Sequence, residues 1–222
     1  MTDKTPFSEQ GAGKNYDRWY EAPYGQFCDR LEKRAVRALL PQQRGTLLEI
    51  GSGTGHWSLW FSRQGFQVTG IEPAGDMLAR AESKVPGARF VQARAESFEL
   101  ERQFDLAAFI TSLAFIQERE RTLKNVLAHV RPGGCVILGC LNRDSFLGGE
   151  GHGFLAGADF LGIEDVVRLF AAYGKITLDY TLYTPAGRLA WAFVAEPLGR
   201  LLHKRKGAFI AGRIDLWTSR LK

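Results

Sequence analysis

The sequence predicts an α/β domain built on a parallel sheet with helices on both faces, and three observations lead there. A short apolar run of Leu47, Leu48 and Ile50 passes through Glu49 into Gly51, Gly53 and Gly55, and apolar residues reopen at helical spacing in Trp57, Leu59, Trp60 and Phe61. A second strand-like run, from Gln67 to Ile71, ends in Glu72, 21 residues beyond Gly51. A third, from Phe104 to Ile110, is apolar enough to be buried on both faces, as strands of parallel sheets are. At 222 residues the chain is long enough for one large domain of this kind and too short for two.

The glycines must lie in a strand-to-helix turn. Such a turn has little room for Cβ atoms, and it brings a ligand against main-chain N–H groups at the start of a helix. A dinucleotide fingerprint, G-x-G-x-x-G, would need glycine at position 56, which is His56. The chain instead runs E-x-G-x-G-x-G from Glu49 to Gly55. This resembles the first motif of the class I S-adenosylmethionine-dependent methyltransferases, whose ligand carries no pyrophosphate and lies across the strand end. Glu72 stands at the interval at which the neighbouring strand delivers a carboxylate to the two hydroxyls of a ribose.

The remaining elements follow in order. Residues 1–13 read as a flexible arm. An aromatic cluster, Tyr16, Trp19, Tyr20 and Tyr24, precedes a helical run from Gln26 to Leu40 with Phe27, Leu31, Ala35 and Leu39 spaced by four, and Pro41 ends it. Residues 14–41 are therefore either a helix pair packed on the sheet or a cap over a site. After Glu72, Pro73 to Ala81 starts a helix that carries Met77. A strand over 88–91 leads into Arg94-Ala95-Glu96. Thr111 and Ser112 follow the strand at 104–110, at the edge where open parallel sheets bind ligands. A helix from Glu118 to Val130 ends in Pro132-Gly133-Gly134, before a strand over 135–140. A glycine-rich loop from Asn142 to Ala158 carries His152 and is a candidate lid. Asp159 and Phe160 open a helix that runs to Phe170, and Lys175 to Tyr183 alternates as a strand with Ile176, Leu178 and Tyr180 on one face. Residues 185–204 read as an inserted amphipathic helix, kinked near Pro197, and Gly207 to Gly212 as the last strand.

Composition excludes several classes. Hydrophobic residues make up 45% and charged residues 24%, close to the globular average. Cys28, Cys135 and Cys140 have neither a disulfide-framework nor a metal-ligand spacing, so a reducing, cytoplasmic setting and no metal are expected. No apolar h-region starts the chain and no apolar run approaches a membrane span, so the expectation is a soluble protein. Basic residues outnumber acidic ones ten to six over 151–222. That excess reads as a solvated edge, with peripheral contact to an acidic membrane, or to nucleic acid, as the alternatives.

The resemblance spans Tyr16 to Asp215 and is similar to the branch of ubiquinone/menaquinone and other small-molecule methyltransferases. It implies a Rossmann-like doubly wound sheet of seven strands in the order 3-2-1-4-5-7-6, strand seven antiparallel, with S-adenosyl-L-methionine as methyl donor and S-adenosyl-L-homocysteine as product. Carried onto this sequence, the cofactor would be bound by Glu49, Gly51, Ser52, Gly53, Gly55, Glu72, Pro73, Met77, Ala95, Glu96 and Thr111. Arg94 departs from the family, since it stands where an aspartate usually receives the adenine amino group and arginine has no acceptor. The Ala95 backbone can still serve, and the polar adenine contact either comes from Glu96 or is missing. A sulfonium is already activated, so the protein needs to bind, align and exclude water. Candidates for a general base are His152, Tyr16, Tyr20 and Tyr24. The acceptor would be a small molecule. A cofactor-binding module without catalysis is one alternative. An RNA or protein methyltransferase is another, although Thr111-Ser112-Leu113-Ala114 lacks the Asn/Asp-Pro-Pro-Tyr/Phe element of amino-methylating nucleic-acid enzymes.

Overall fold

A computed structural model of the protein describes residue 7 and residues 12–145 and 155–218. Two helices, α1 (Ala12–Glu21) and α2 (Pro23–Leu39), precede β1 (Thr46–Ile50). There follow α3 (His56–Arg63), β2 (Gln67–Glu72), α4 (Gly75–Lys84), β3 (Arg89–Gln92), β4 (Phe104–Ile110), α5 (Arg119–Ala128) and β5 (Val130–Leu141). The chain then adds α6 (Ile163–Phe170), β6 (Gly174–Thr181), α7 (Ala192–Leu202) and β7 (Phe209–Leu216).

The strands form one sheet in the order β3-β2-β1-β4-β5-β7-β6. The first five pair in parallel, and β7 runs antiparallel to both β5 and β6. This is the order that the resemblance implied. Alternation along each strand divides the core between two faces. Leu48, Ile50 and Phe109 pack with Leu123 and Val126 of α5 and with Val166 and Phe170 of α6. Leu47, Leu106 and Ala108 pack with Ala35 and Val36 of α2 and with Trp57, Trp60 and Phe61 of α3. Every strand end that matters to the site is thus fixed by packing on both sides.

Several boundaries differ from the sequence expectation. Helix α1 begins at Ala12, inside the stretch assigned to an arm. Helix α2 begins at Pro23, because proline suits a first helical turn whose N–H groups have no partner. The fully buried residues of α2 are Gly25, Cys28, Glu32, Ala35 and Val36; of the expected stripe Ala35 is among them, while Phe27, Leu31 and Leu39 are only partly buried against the same core. Pro132-Gly133-Gly134 does not precede the fifth strand but lies within it: Phe104 pairs with Val130 and Leu106 with Cys135, so residues 131–134 bulge out between two paired segments. Asp159 and Phe160 lie outside any helix, and α6 starts only at Ile163, where the Gly162 N–H donates to Asp165 at 2.9 Å. The last strand begins at Phe209 and runs four residues past Gly212. Within 185–204 only Ala192–Leu202 is α-helical, with Pro197 inside it and no residue buried. Trp191, Phe193 and Leu201 of that insertion are strongly exposed, beside Lys204–Lys206. Among the described residues no helix is long and apolar enough to cross a membrane.

Gly55 shows why the turn after β1 demands its last glycine. Its φ is +78°, and a Cβ there would stand 2.9 Å from the Cα of Ala81 in α4. Gly55→Ala is therefore expected to destabilise the fold by about 2 kcal/mol or more, combining left-handed strain with a backbone clash. Chemical denaturation checks this; an unchanged midpoint would remove the packing argument.

Candidate functional site

A cavity of about 490 Å³ lies at the carboxyl ends of β1, β2 and β4, roofed by α1 and α2. Its floor is made by backbone. The N–H groups of Gly51 and Ser52 both donate to the carbonyl of Ile71, at 2.8 and 3.1 Å, so the end of β2 pins the turn. Glu72 continues this: one carboxylate oxygen accepts the Gly53 N–H at 2.9 Å and the other the Ala74 N–H at 3.0 Å. Burial pushes the Glu72 carboxyl up, and the two backbone donors pull it back. Each oxygen keeps a free lone pair.

Space beside the glycines is unequal. A Cβ on Gly51 would meet Cβ of Ser112 at 2.6 Å, whereas one on Gly53 would meet nothing within 4 Å. Main chain at Gly53 is therefore bare toward the cavity. Two non-glycine residues with positive φ, Thr111 (56°) and Leu182 (67°), also line it. Such conformations cost of order 1–3 kcal/mol and gather where a site holds the backbone in place.

Of the residues expected to hold a cofactor, Gly51, Gly53, Glu72, Pro73, Met77, Ala95, Glu96 and Thr111 line the cavity together. Three do not reach it. Glu49 is buried beneath the turn, where the Ser58 hydroxyl donates to its carboxylate. Ser52 is buried against Gly70, so close that a Cβ on Gly70 would lie 2.8 Å from Cβ of Ser52. Gly55 faces α4. Their residue types serve the architecture of the turn, which explains why the motif includes them. Arg94 lies on the wall and pairs with Glu96 at 3.3 Å; its side chain is half exposed, while that of Glu96 is 9% exposed. The acid is thus the inward member of the pair.

The roof is built from side chains. Asp17 of α1 accepts the Thr54 hydroxyl and the Lys84 ammonium, both at 2.7 Å, which ties α1 to the glycine turn and to α4. Tyr20 stacks on His56 with ring centroids 3.7 Å apart. The His56 Nε2 is shared between Asp29 Oδ1 at 2.7 Å and Lys33 Nζ at 2.9 Å. The hydroxyls of Tyr16 and Tyr20 lie 3.1 Å apart, and the Tyr24 hydroxyl donates to the carbonyl of Thr184. All three tyrosines line the cavity, but burial drives their phenols upward, Tyr16 to about 12 and the others well above their ordinary value. They are protonated at neutral pH and act as hydrogen-bond donors, not bases. His152, the remaining candidate base, lies outside the described residues.

Sequence reasoning missed Glu32 and Cys28 on the cavity wall. Both occupy the inner face of α2, where an acid breaks the apolar stripe. Burial pushes the Cys28 thiol up to about 12, so it is no nucleophile. Among the described residues no group of three or more His, Cys, Asp or Glu side chains could hold a metal.

The arrangement fits a nucleoside with an amino-acid tail. Glu72 offers two free lone pairs to a diol, and bare backbone stands at Gly53. The buried Ser112 hydroxyl on the cavity wall has no hydrogen-bond partner among the described residues. Met77 is 2% exposed and supplies an apolar face beyond Glu72.

Comparison with known proteins agrees with this geometry. Residues 16–205 match the methyltransferase domain family. An uncharacterised protein of Methanocaldococcus jannaschii is 25% identical over 207 residues, covering 89% of this chain and 93% of that one. An uncharacterised methyltransferase of Alkaliphilus oremlandii is 29% identical over 140 residues, 61% of this chain and 60% of its own length. A crystal structure from Thermotoga maritima superposes with a TM-score of 0.74 at 28% identity, covering 91% of this chain and 94% of that one. It is described as an S-adenosylmethionine-dependent methyltransferase, possibly a histamine N-methyltransferase.

The position of Glu49 sets a pH dependence. Burial raises its carboxyl from 4.5 to about 8, against the pull of the Ser58 hydroxyl. Between those values the folded protein holds a proton that the unfolded chain has lost, so this group's contribution to stability falls as pH rises. In Glu49→Gln that loss disappears. The thermal midpoint of the variant is expected to gain on that of the parent steadily from pH 4.5 to 8.5, and parallel curves would refute the assignment.

Proposed function

The chain belongs to the methyltransferase domain family, and on that premise we propose that it transfers a methyl group from S-adenosylmethionine to a small-molecule acceptor held under the α1–α2 roof. The observation that carries this reading is the continuity of one cavity. One space is lined both by Gly51, Gly53 and Glu72 and by the tyrosines of the roof.

When bound, the cofactor supplies a methyl group on a sulfonium, an activated leaving group that needs no metal or covalent help. The protein's own task is to bind and to align. Glu72 would accept the ribose hydroxyls, and the Gly51–Gly53 backbone would lie along the amino-acid part. Met77 and Pro73 would cover the adenine, with the Ala95 backbone and Glu96 taking its polar edge. Glu96 replaces the usual aspartate at this edge, with Arg94 holding its carboxylate from the outer side. Thr111 and Ser112 would stand between donor and acceptor, and the aromatic roof would keep water from the transferring methyl. A cavity of this size with aromatic side chains in its roof favours a small acceptor over a polymer. The Thermotoga protein's description makes a nitrogen one of the acceptor atoms to test.

Calorimetric titration with S-adenosylmethionine and S-adenosylhomocysteine checks the donor site. Both should bind, and Glu72→Gln should weaken them by about 10- to 100-fold, the value of hydrogen bonds to a charged acceptor. Failure of either compound to bind the parent protein would overturn the proposal.

A further inference from the structure

The cavity contains a carboxyl group that no hydrogen bond or ion pair answers among the described residues. Glu32 lies midway along α2, 4% exposed, on a buried face with Cys28, Ala35 and Val36, and it lines the cavity. Its neighbour Lys33 is committed elsewhere, donating to Asp29 at 2.8 Å and lying 2.9 Å from His56. Among the described residues no hydrogen bond or ion pair reaches the Glu32 carboxyl. Around it stand Tyr16 and Tyr20 of α1 and Tyr24 of α2, each close enough for its charge to oppose their ionisation. Trp19 lines the same space. A buried carboxyl with no partner among the described residues, sharing a cavity with these four aromatic side chains, is an arrangement that a cation completes, through charge pairing and cation–π contact.

We propose that Glu32 recognises a basic nitrogen on the methyl acceptor, so that the substrates of this protein are primary or secondary amines enclosed by Glu32 and the tyrosines of the roof. The inference rests on the methyl-transfer reading and narrows it. Glu32 also answers the need for a proton acceptor, since an ammonium has no lone pair with which to attack. Burial pushes its carboxyl up to about 8, within reach of an amine's proton. The ammonium gives one proton to the Glu32 carboxylate. The freed lone pair then forms the N–C bond as the donor's C–S bond breaks, and that electron pair leaves on sulfur. Positive charge passes from sulfur to the methylated nitrogen, and Glu32 returns its proton to solvent when the product departs.

An ammonium is also present in the amino-acid part of the donor, and the test must separate the two sources. Titration calorimetry would compare phenethylamine, benzylamine and butylamine with 2-phenylethanol, benzyl alcohol and butanol. Each would be run on the parent protein and on Glu32→Gln, with and without saturating S-adenosylhomocysteine. At least one amine is expected to bind the parent about tenfold tighter than its matched alcohol. Glu32→Gln should bring amine and alcohol within about twofold while binding S-adenosylhomocysteine as the parent does, which also shows that the variant is folded. Equal affinity for amines and alcohols in the parent, no amine binding at all, or a preference that survives in Glu32→Gln would each overturn the inference. Weaker S-adenosylhomocysteine binding by Glu32→Gln would overturn it in favour of the donor's own ammonium. If the parent failed to bind S-adenosylhomocysteine, the methyl-transfer reading would fall, while the arm without it would still decide whether Glu32 selects amines.

Discussion

The turn between β1 and α3 is the constraint on which the rest of the molecule depends. Gly51 and Ser52 give their N–H groups to the end of β2, and Gly53 gives its own to the Glu72 side chain. Thr54 holds α1 through Asp17, and His56 holds α1 and α2 through Tyr20 and Asp29. Five residues thereby fix two strands, the start of a helix and the roof. Because backbone donors are spent on the sheet side, the opposite side of Gly53 is left open, and the cavity forms there. Fold and site are one piece of geometry, since the strand order that brings β2 and β4 to either side of β1 also brings Glu72 and Thr111 to either side of the turn.

Three acids are buried in this region, and each is compensated differently. Glu72 is held by two backbone N–H groups, which favour its charged form. Glu49 has one hydroxyl donor, too little to keep a fully buried carboxylate ionised, so it behaves as a neutral strut between β1 and α3. Glu32 has no such donor. A gradient of compensation runs from the floor of the cavity to its roof, and it orders the three by what they can offer a ligand: Glu72 a fixed charge, Glu49 nothing, Glu32 a charge that a cation must complete.

Most of the fold was legible in the sequence because its signals are backbone signals. Strands β1, β2 and β4 are continuous apolar runs, and glycines mark the turns between them and the helices, so little else could be built from those stretches. The glycine spacing and the acid after β2 pointed to residues that line the cavity floor for the same reason. What the sequence concealed was carried by side chains acting across the fold. Glu32 sits in a helix whose inner face runs Cys28, Glu32, Ala35, Val36, and a charged residue in that register turns the apparent stripe toward Phe27 and Leu31. A signal was present, since Cys28 and Val36 lie four residues to either side of Glu32, yet it needs a reason to bury an acid. Glu49, Ser52 and Gly55 belong to the same pattern but do not line the cavity; they pack in the turn against α3, β2 and α4.

This division bears on where specificity resides. The floor is made of main-chain groups and one carboxylate, so any sequence that keeps the glycines and Glu72 can rebuild it. The roof is made of Tyr16, Tyr20, Tyr24 and Glu32, side chains of α1 and α2, and substitution of any of them changes the upper wall of the cavity while leaving the main-chain groups of its floor in place. Two features tie the halves together. The strained backbone at Thr111 faces the roof from the end of β4. Tyr24 reaches the carbonyl of Thr184, whose N–H and hydroxyl both donate to Glu196 of α7. Helix α7 buries none of its own residues, so this polar contact, with that of Arg200 on Asp179, does much of the work of holding it against the domain. Rearrangement of α7 would consequently be felt at Tyr24, on the wall that also carries Glu32. Chemistry common to the family is therefore written into the sheet and its first turn, and what distinguishes this chain is written into two helices and the strap that steadies them.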